Sequence, residues 1–496
     1  MTETIVKNGQ TIPLKIKRLG INGEGIGYFK RLIIFVPYAL PKEEVLVKIT
    51  KATPRYAEGQ LVKIKKESKD RVVAPCPVYY ECGGCQLQHL AYHAQLDFKK
   101  DLLLQSLEKF KPEGYRSYQL RPTIGMSDPW HYRNKAQFQL RKNKKTQKIE
   151  AGLYQANSHE LVPLTDCLVQ EPRTQKVMNT VVTLLNKYDL PIYDERSNIG
   201  IFRTIMVRVG IKTGELQVVF ITRSRKFPQK NVLIREINQR LPEVVSIMQN
   251  VQPNKTSLVM GDETLHLWGK EAIEEHISEV TFDLSPRAFF QLNPQQTEIL
   301  YGEGIKALAI QPNETIVDAY CGVGTIGLSV AKQAKEIRGM DTVPQAIADA
   351  RKNAERLGYQ NTRYEVGTAE ELLPKWLKEG FKPDGIIVDP PRTGLDPQLI
   401  QAILAYPPTK LVYISCNVST LARDLVELSK KFQVEYLQSV DMFPQTARCE
   451  VVVKLTKNRL NRKRSALCQM MLVKRNLRII WTGQKEGNLF LFCLFG

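Results

Sequence analysis

Four apolar residues in succession, Leu411 to Ile414, lie inside the segment Lys410–Asn417, K-L-V-Y-I-S-C-N, between turn-forming neighbours. A run this short and this apolar reads as a parallel strand covered on both faces. Strands of that kind belong to doubly wound α/β sheets, whose ligand crevice lies at the carboxyl ends of the strands. Cys416 then stands at the crevice. A strand-end cysteine is most simply a small buried hydrophobe, so its surroundings decide whether it does chemistry.

The preceding segments supply the rest of such a sheet. Thr315–Tyr320 reads as a strand, and the glycine-rich loop Cys321–Gly327 opens a helix and lets backbone approach a ligand closely. A second strand, Ile337–Asp341, ends in an acid suited to accept from ribose hydroxyls. A helix over Pro344–Leu357, a third strand over Thr362–Val366 and a fourth over Gly385–Arg392 follow, the last containing Asp389-Pro390-Pro391-Arg392. The order of glycine loop, acidic strand end and Asp-Pro-Pro points to S-adenosylmethionine rather than NAD, and no P-loop lysine follows the turn.

Asp-Pro-Pro followed by an aromatic suits methylation of exocyclic amines, but here Arg392 holds the aromatic position. Carbon-5 of a pyrimidine poses a different problem, because that ring carbon is a poor nucleophile. A thiolate adding to C6 makes C5 enolate-like, and a base must later remove the C5 proton so that the thiolate can leave. Cys416 is the candidate thiolate. Glu450, at the start of a last strand over Val451–Leu455, is the candidate base. Alternation points the adjacent Cys449 to the opposite face, where it packs. Cys321 reads as a close-fitting small residue of the donor loop.

Charge suggests the substrate. The 496 residues carry 71 Lys plus Arg against 51 Asp plus Glu, a net charge of +20 that suits a polyanion, most often nucleic acid. The first residues, M-T-E-T-I-V-K-N-G-Q, lack the apolar core of a signal peptide, and no apolar run approaches the roughly 18 residues of a membrane helix. A cytoplasmic protein with no membrane contact is expected.

Residues 1–66 read as short glycine-punctuated strands, including Arg31–Val36 and Glu44–Ile49, forming a small OB-like barrel with Lys15, Lys17, Arg18, Lys30 and Arg31 along it. Within it, K-R-L-G-I-N-G-E-G-I-G-Y resembles the opening of a TRAM domain, a barrel appended to RNA-modifying enzymes. Cys76, Cys82 and Cys85 follow in a C-x5-C-x2-C cluster, and Cys167 is the nearest later cysteine. Four thiolates admit tetrahedral zinc or a [4Fe-4S] cluster, and His89 and His93 keep a Cys3His site open. Gln95–Phe110 reads as a packing helix with its leucines on one face. From about Trp130 to Lys270, strands and helices alternate as in a separate α+β domain. Trp130-His131-Tyr132-Arg133-Asn134-Lys135 interleaves aromatic and basic residues as single-stranded RNA binding requires, and a plain structural strand edge fits the pattern equally.

Taken together, S-P-R-A-F-F-Q-L-N (285–293), D-A-Y-C-G-V-G-T-I-G (318–327), V-D-P-P-R (388–392), S-C-N (415–417) and D-M-F-P-Q-T (441–446) resemble the RNA uracil-C5 methyltransferase family. The TRAM-like start and the four cysteines narrow the resemblance to its 23S rRNA branch. It implies a multidomain α/β protein: barrel (1–66), central α+β domain with the cysteines (67–280) and Rossmann-like methyltransferase domain (281–456). It implies a [4Fe-4S] cluster on Cys76, Cys82, Cys85 and Cys167 in place of zinc. It also implies Cys416 as nucleophile, Glu450 as proton acceptor, and donor contacts from Gln291, Tyr320, Asp341 and Asp389, with Thr325 and Thr368 added by motif position. The expected partner is RNA, with no obligate protein partner.

Two departures stand out. Arg448 occupies a position where many members carry histidine, and the basic and apolar tail 457–496 extends past the usual end of the family; it reads as a poorly ordered appendage. The rival readings are a tRNA uracil-C5 methyltransferase, an RNA cytosine-C5 methyltransferase, disfavoured because its fourth-strand motif carries Pro-Cys, and a non-enzymatic iron–sulfur RNA-binding protein.

Overall fold

The structure is a computed structural model that describes residues 5–277 and 280–458. Most of the expected tail, from 459 onward, lies outside the described residues.

Strict alternation of apolar and polar residues builds the first unit. Strands β1 (Thr11–Leu19), β2 (Gly25–Phe29), β3 (Leu32–Val36), β4 (Glu44–Ala52) and β5 (Tyr56–Lys66) close into a barrel in the order β1-β2-β3-β5-β4. Ile12, Leu14 and Ile16 fill it from one strand, and Val45, Val47 and Ile49 from another, as period-two patterning requires. The reading above missed β2 and β5, whose glycines and charges blur that pattern.

Helix α1 (Tyr92–Phe110) follows the cysteine segment, and the chain then adds a two-residue strand, β6 (Gln119–Leu120), to the edge of the catalytic sheet. The central sheet comes next: β7 (Lys135–Lys142), β8 (Ile149–Tyr154), β9 (Leu161–Pro163), β10 (Phe202–Val209), β11 (Leu216–Thr222), β12 (Val244–Val251) and β13 (Glu263–Gly269). Their order is β13-β12-β11-β10-β7-β8-β9, and α2 (Pro172–Lys187) and α3 (Lys230–Arg240) pack against it through Val177, Val181, Leu184, Leu233 and Ile237. A hairpin of β14 (Ile273–Ile277) and β15 (Val280–Leu284) and helix α4 (Pro294–Leu308) lead into the last unit.

That unit is a doubly wound sheet. Strands β16 (Thr315–Ala319), β17 (Glu336–Asp341), β18 (Thr362–Val366), β19 (Gly385–Val388) and β20 (Lys410–Ser415) are parallel, in the order β18-β17-β16-β19-β20. The intervening helices are α5 (Thr325–Val330), α6 (Pro344–Arg356), α7 (Ala369–Lys378), α8 (Pro397–Ala405) and α9 (Val418–Leu428). Strands β21 (Phe432–Val440) and β22 (Glu450–Lys457) complete it, with β22 antiparallel to β20. Leu411, Val412, Tyr413 and Ile414 are all fully buried, as a central strand covered on both faces demands.

Helix α1 belongs to this same core. Phe98, Leu102, Leu103 and Leu107 share a cluster with Leu421, Leu425 and Val453. Lys99, in the middle of that apolar face, is completely buried beside the equally buried Asp441 and also donates to the Phe443 carbonyl at 3.1 Å. Breaking a buried pair by removing one partner strands the other charge. Asp441→Asn is therefore expected to lower stability by about 3–5 kcal/mol in urea unfolding, while neutralising the exposed Lys176 of the Lys176–Glu243 pair leaves the midpoint unmoved.

Candidate active site

Five strand ends meet at one crevice, a cavity of about 1240 Å³ lined by Gln291, Tyr320, Asp341, Thr368, Asp389, Cys416 and Glu450 among others. The topology explains the convergence. Asp341 is the last residue of β17, while Tyr320, Asp389 and Cys416 each follow the last residue of a parallel strand. Because β22 runs antiparallel to β20, its first residue, Glu450, falls at the same edge. Ser415 pairs with Val451, so continuing the register sets Cys416 across from Glu450, with Cα atoms about 5 Å apart for such a pair.

The glycine loop is shaped for close approach. Gly322 and Gly324 have φ of 56° and 83°, and Tyr320, with no such freedom, is held at 68°, a conformation that costs a non-glycine residue energy and persists only where its surroundings impose it. Gly327 donates to buried Asp318 at 2.8 Å, and burial raises the Asp318 carboxyl to about 7. Gly322, Gly324 and Gly327 fall in the G-x-G-x-x-G spacing that dinucleotide turns also use, so glycine spacing alone does not separate the two donors. Asp341 accepts from the amides of Gly322 at 3.0 Å and Val343 at 2.9 Å. The Thr368 hydroxyl is buried on the cavity wall with no protein partner, an orphaned polar atom that a bound nucleoside would satisfy. Gln291 bonds to the buried Tyr301 hydroxyl. Thr325, buried at the first turn of α5, does not line the cavity.

At the reacting end, Asn417 does two jobs. Its side-chain oxygen caps α9 through the Ser419 amide at 3.0 Å, and its side-chain nitrogen donates to the Arg392 carbonyl at 2.9 Å, pinning the Asp-Pro-Pro-Arg loop beside Cys416. The Cys416 sulfur lies 4.0 Å from the Pro390 carbonyl oxygen. Burial, then the nearby Glu450 and Asp389 charges, push its thiol up to about 12 against the opposing pull of Arg392. Burial alone raises Asp389 to about 7. Burial and then Asp389 hold Glu450 well above the usual carboxylate range, opposed by Arg392 and Lys99. Arg448 is exposed, and its charge interacts with Arg392 and Cys416.

The turn Asp441–Thr446 behind Glu450 is gripped from several sides. The Tyr92 hydroxyl donates to Asp441 at 3.0 Å, the Tyr132 hydroxyl to the Pro444 carbonyl at 2.9 Å, and Asn293 to the Met442 carbonyl at 3.0 Å. The Gln86 and Leu87 amides both donate to the Gln445 carbonyl at 3.0 Å. Of the two readings open for this stretch, Tyr132 takes the structural one as a buried clamp, and Trp130 packs in a cluster with Cys85, Cys167 and Phe443. These two rings fill the gap between the cysteine segment and the turn before Glu450.

Cys167 is brought to the other three cysteines across the sequence. Cys82 lies within electrostatic range of Cys76, Cys85 of Cys167 and Cys82, and Cys167 of Cys82 and Cys76. Gly83 packs against the Ala156 backbone so closely that a Cβ would stand 2.8 Å from its nitrogen. Among the described residues no group of three or more His, Cys, Asp or Glu is arranged to hold a single metal ion. His89 pairs with the Tyr79 hydroxyl at 2.6 Å and His93 with Asp70.

Two contributors escaped the sequence reading. Lys99 falls three residues after Leu96 and three before Leu102, on the apolar stripe, and a lysine in that position is the signal that was available. Tyr301 lies on α4, which no motif marked.

This fold and crevice define an S-adenosylmethionine-dependent methyltransferase. Residues 262–458 match the tRNA (Uracil-5-)-methyltransferase family profile and residues 6–62 the TRAM domain profile. An uncharacterized RNA methyltransferase of Enterococcus faecalis is 74% identical over 92% of this chain and 100% of its own length, and one of Listeria innocua is 58% identical over 92% and 99%. The crystal structure of Pyrococcus abyssi tRNA (uracil-54, C5)-methyltransferase with S-adenosyl-L-homocysteine superposes with a TM-score of 0.72 at 26% identity, covering 90% of this chain and 100% of that one. The chain belongs to the RNA uracil-5 methyltransferase family, with a TRAM domain at its amino end. No helix among the described residues is long and apolar enough to cross a membrane.

A thiol raised to about 12 is a thiolate only in small part near neutrality, and that fraction grows tenfold per pH unit below the pKa. In the free protein, iodoacetamide labelling of Cys416 followed by mass spectrometry is expected to accelerate about tenfold per unit from pH 7 to 9 without levelling off.

Proposed function

We propose that this enzyme methylates C5 of uridine in 23S rRNA through a covalent Cys416 adduct. The observation that carries the reading is the register of β20 and β22, which sets Cys416 opposite Glu450 at the donor crevice. The Cys416 sulfur bonds to C6, and the electrons of the C5–C6 double bond shift toward C5 and the 4-carbonyl. S-adenosylmethionine, held by Asp341, Tyr320, Gln291, Thr368 and Asp389, supplies an electrophilic methyl carbon. C5 bonds to that carbon as the carbon's bond to the donor sulfur breaks and S-adenosylhomocysteine leaves, and Glu450 then takes the C5 proton. The freed electron pair restores the double bond and expels the Cys416 thiolate. Arg392 opposes the burial that keeps Cys416 and Glu450 protonated in the free protein, and Arg448 interacts with Cys416; a cationic donor beside Asp389 acts in the same direction.

The TRAM barrel and the gathered cysteines support the 23S branch. With the choice over zinc resting on the resemblance to that branch, Cys76, Cys82, Cys85 and Cys167, each within electrostatic range of others in the set, would hold a [4Fe-4S] cluster. Its place is beside the turn that carries Phe443, where it would brace the wall of the crevice. A tRNA substrate is the second reading, favoured by the archaeal structure, which is a tRNA enzyme.

Labelled methyl transfer to unmodified 23S rRNA and to bulk tRNA, with nucleoside analysis, decides between them: 5-methyluridine in rRNA is expected, and 5-methyluridine in tRNA alone would overturn the substrate but keep the chemistry. Cys416→Ala is expected to abolish transfer. Glu450→Gln should lower kcat about 10²–10⁴-fold while a protein–RNA adduct survives denaturing gels. Anaerobically purified protein should carry iron and sulfide in equal amounts, lost in Cys85→Ser.

A further inference from the structure

A second cavity, of about 1160 Å³, opens at the far end of the central sheet from the active site. Its walls are the β7–β8 turn with Lys142, Lys144 and Lys145, the loop after β12 with Lys255, and the segment around Tyr193 and Arg196. Three carboxylates also line it, but each is already engaged. Glu160 stands 3.6 Å from Arg141 and 4.0 Å from Arg196, Glu195 is 3.4 Å from His159, and Asp194 accepts from the Ser197 amide at 2.8 Å. Lys144, Lys145 and Lys255 are exposed and make no salt bridge within 4.0 Å among the described residues, Lys144 lying within electrostatic reach of Asp194. Aromatic faces stand among these cations. Tyr154 and His159 lie ring to ring at 5.5 Å, and the Arg203 guanidinium sits 4.4 Å above Tyr193. Exposed lysines that track a backbone, with aromatic and guanidinium planes for bases, are what a single RNA strand needs.

The cleft is also in line with the catalytic crevice. Asn134, just before β7, donates to the carbonyl of Leu292, a residue of the catalytic cavity wall, while Gln139 to Asn143 at the other end of β7 line the second cavity. Eight residues of strand span about 25 Å. A second link crosses the surface: Arg287, on the catalytic wall, donates to the Asp262 carbonyl at 2.8 Å, and the loop leading to Asp262 carries Lys255 to Val259 of the cleft.

We propose that this cleft is a second RNA-binding surface, holding a single-stranded part of the substrate about seven stacked nucleotides from the target uridine. It rests on the RNA methyltransferase activity but not on the identity of the RNA. It sets the length of substrate the enzyme needs, and it acts on binding alone.

The test compares wild type, the triple variant Lys144→Gln/Lys145→Gln/Lys255→Gln, and a charge-matched control, Lys332→Gln/Lys375→Gln/Lys378→Gln, on the catalytic domain surface. Binding of fluorescein-labelled unmodified 23S rRNA fragments is measured by anisotropy over a salt series, and methyl transfer to the same fragments gives KM and kcat. The cleft variant is expected to raise Kd and KM about tenfold and to lower the salt slope by about two, at about 0.7 per single-strand phosphate contact, with kcat unchanged. An unchanged Kd and salt slope would overturn the proposal and leave a protein partner as the occupant of the cleft. An equal loss in the control would overturn it too, by showing that any lost charge suffices. Because anisotropy needs no turnover, an RNA that binds but is not methylated would count against the substrate reading while still testing the cleft.

Discussion

A lysine ammonium sealed in an apolar helix interface tolerates its position only beside a counter-charge, and in this molecule that condition ties the parts together. Lys99 sits among the leucines of α1 and meets Asp441, which opens the turn behind Glu450. Around this pair the turn acquires its shape: Gln95 exchanges two hydrogen bonds of 3.0 Å with Gln445, and Gln445 takes up a left-handed φ of 67°. Phe443 then faces the catalytic cavity on one side and the cysteine cluster on the other. The barrel joins the same junction, since Gly23 lies against Leu87, Gln86 and Ala447.

The crevice itself is electrostatically crowded. Asp318, Asp389 and Glu450 are all pushed upward by burial, and the Cys416 thiol with them. A carboxyl raised in the folded state binds its proton more tightly there than in the unfolded chain, so for Asp318 and Asp389 stability declines as pH rises from about 4 to about 7 and then levels. Such a site is held in a protonated resting state and is costly to ionise while empty of cations, a condition common where pKa values serve chemistry.

The doubly wound sheet was legible because parallel strands buried on both faces advertise themselves as short apolar runs; Leu411–Ile414 and Thr362–Val366 fell where expected, and the strand ends carried the crevice with them. The placement of α1 was not legible. Its leucines announced a packed face, but nothing local says which core receives it, and Lys99 looks like an ordinary solvated charge until Asp441 is seen beside it. The stretch Trp130–Lys135 stayed open for the related reason that aromatic and basic residues suit a structural element as well as an RNA surface; only long-range neighbours such as Pro444 decide.

The distance along the chain between Lys99 and Asp441 carries one more consequence. They are 342 residues apart, and β6 likewise waits for β21, its strand partner among the described residues. A ribosome adding about 5–20 residues per second delivers Asp441 roughly 17–70 seconds after Lys99. Throughout that interval the face of α1 that packs against Leu421, Leu425 and Val453 has no partner, and Lys99 has no counter-charge. The barrel closes on its own core, so it is the docking of α1 that waits for the last strands of the enzyme.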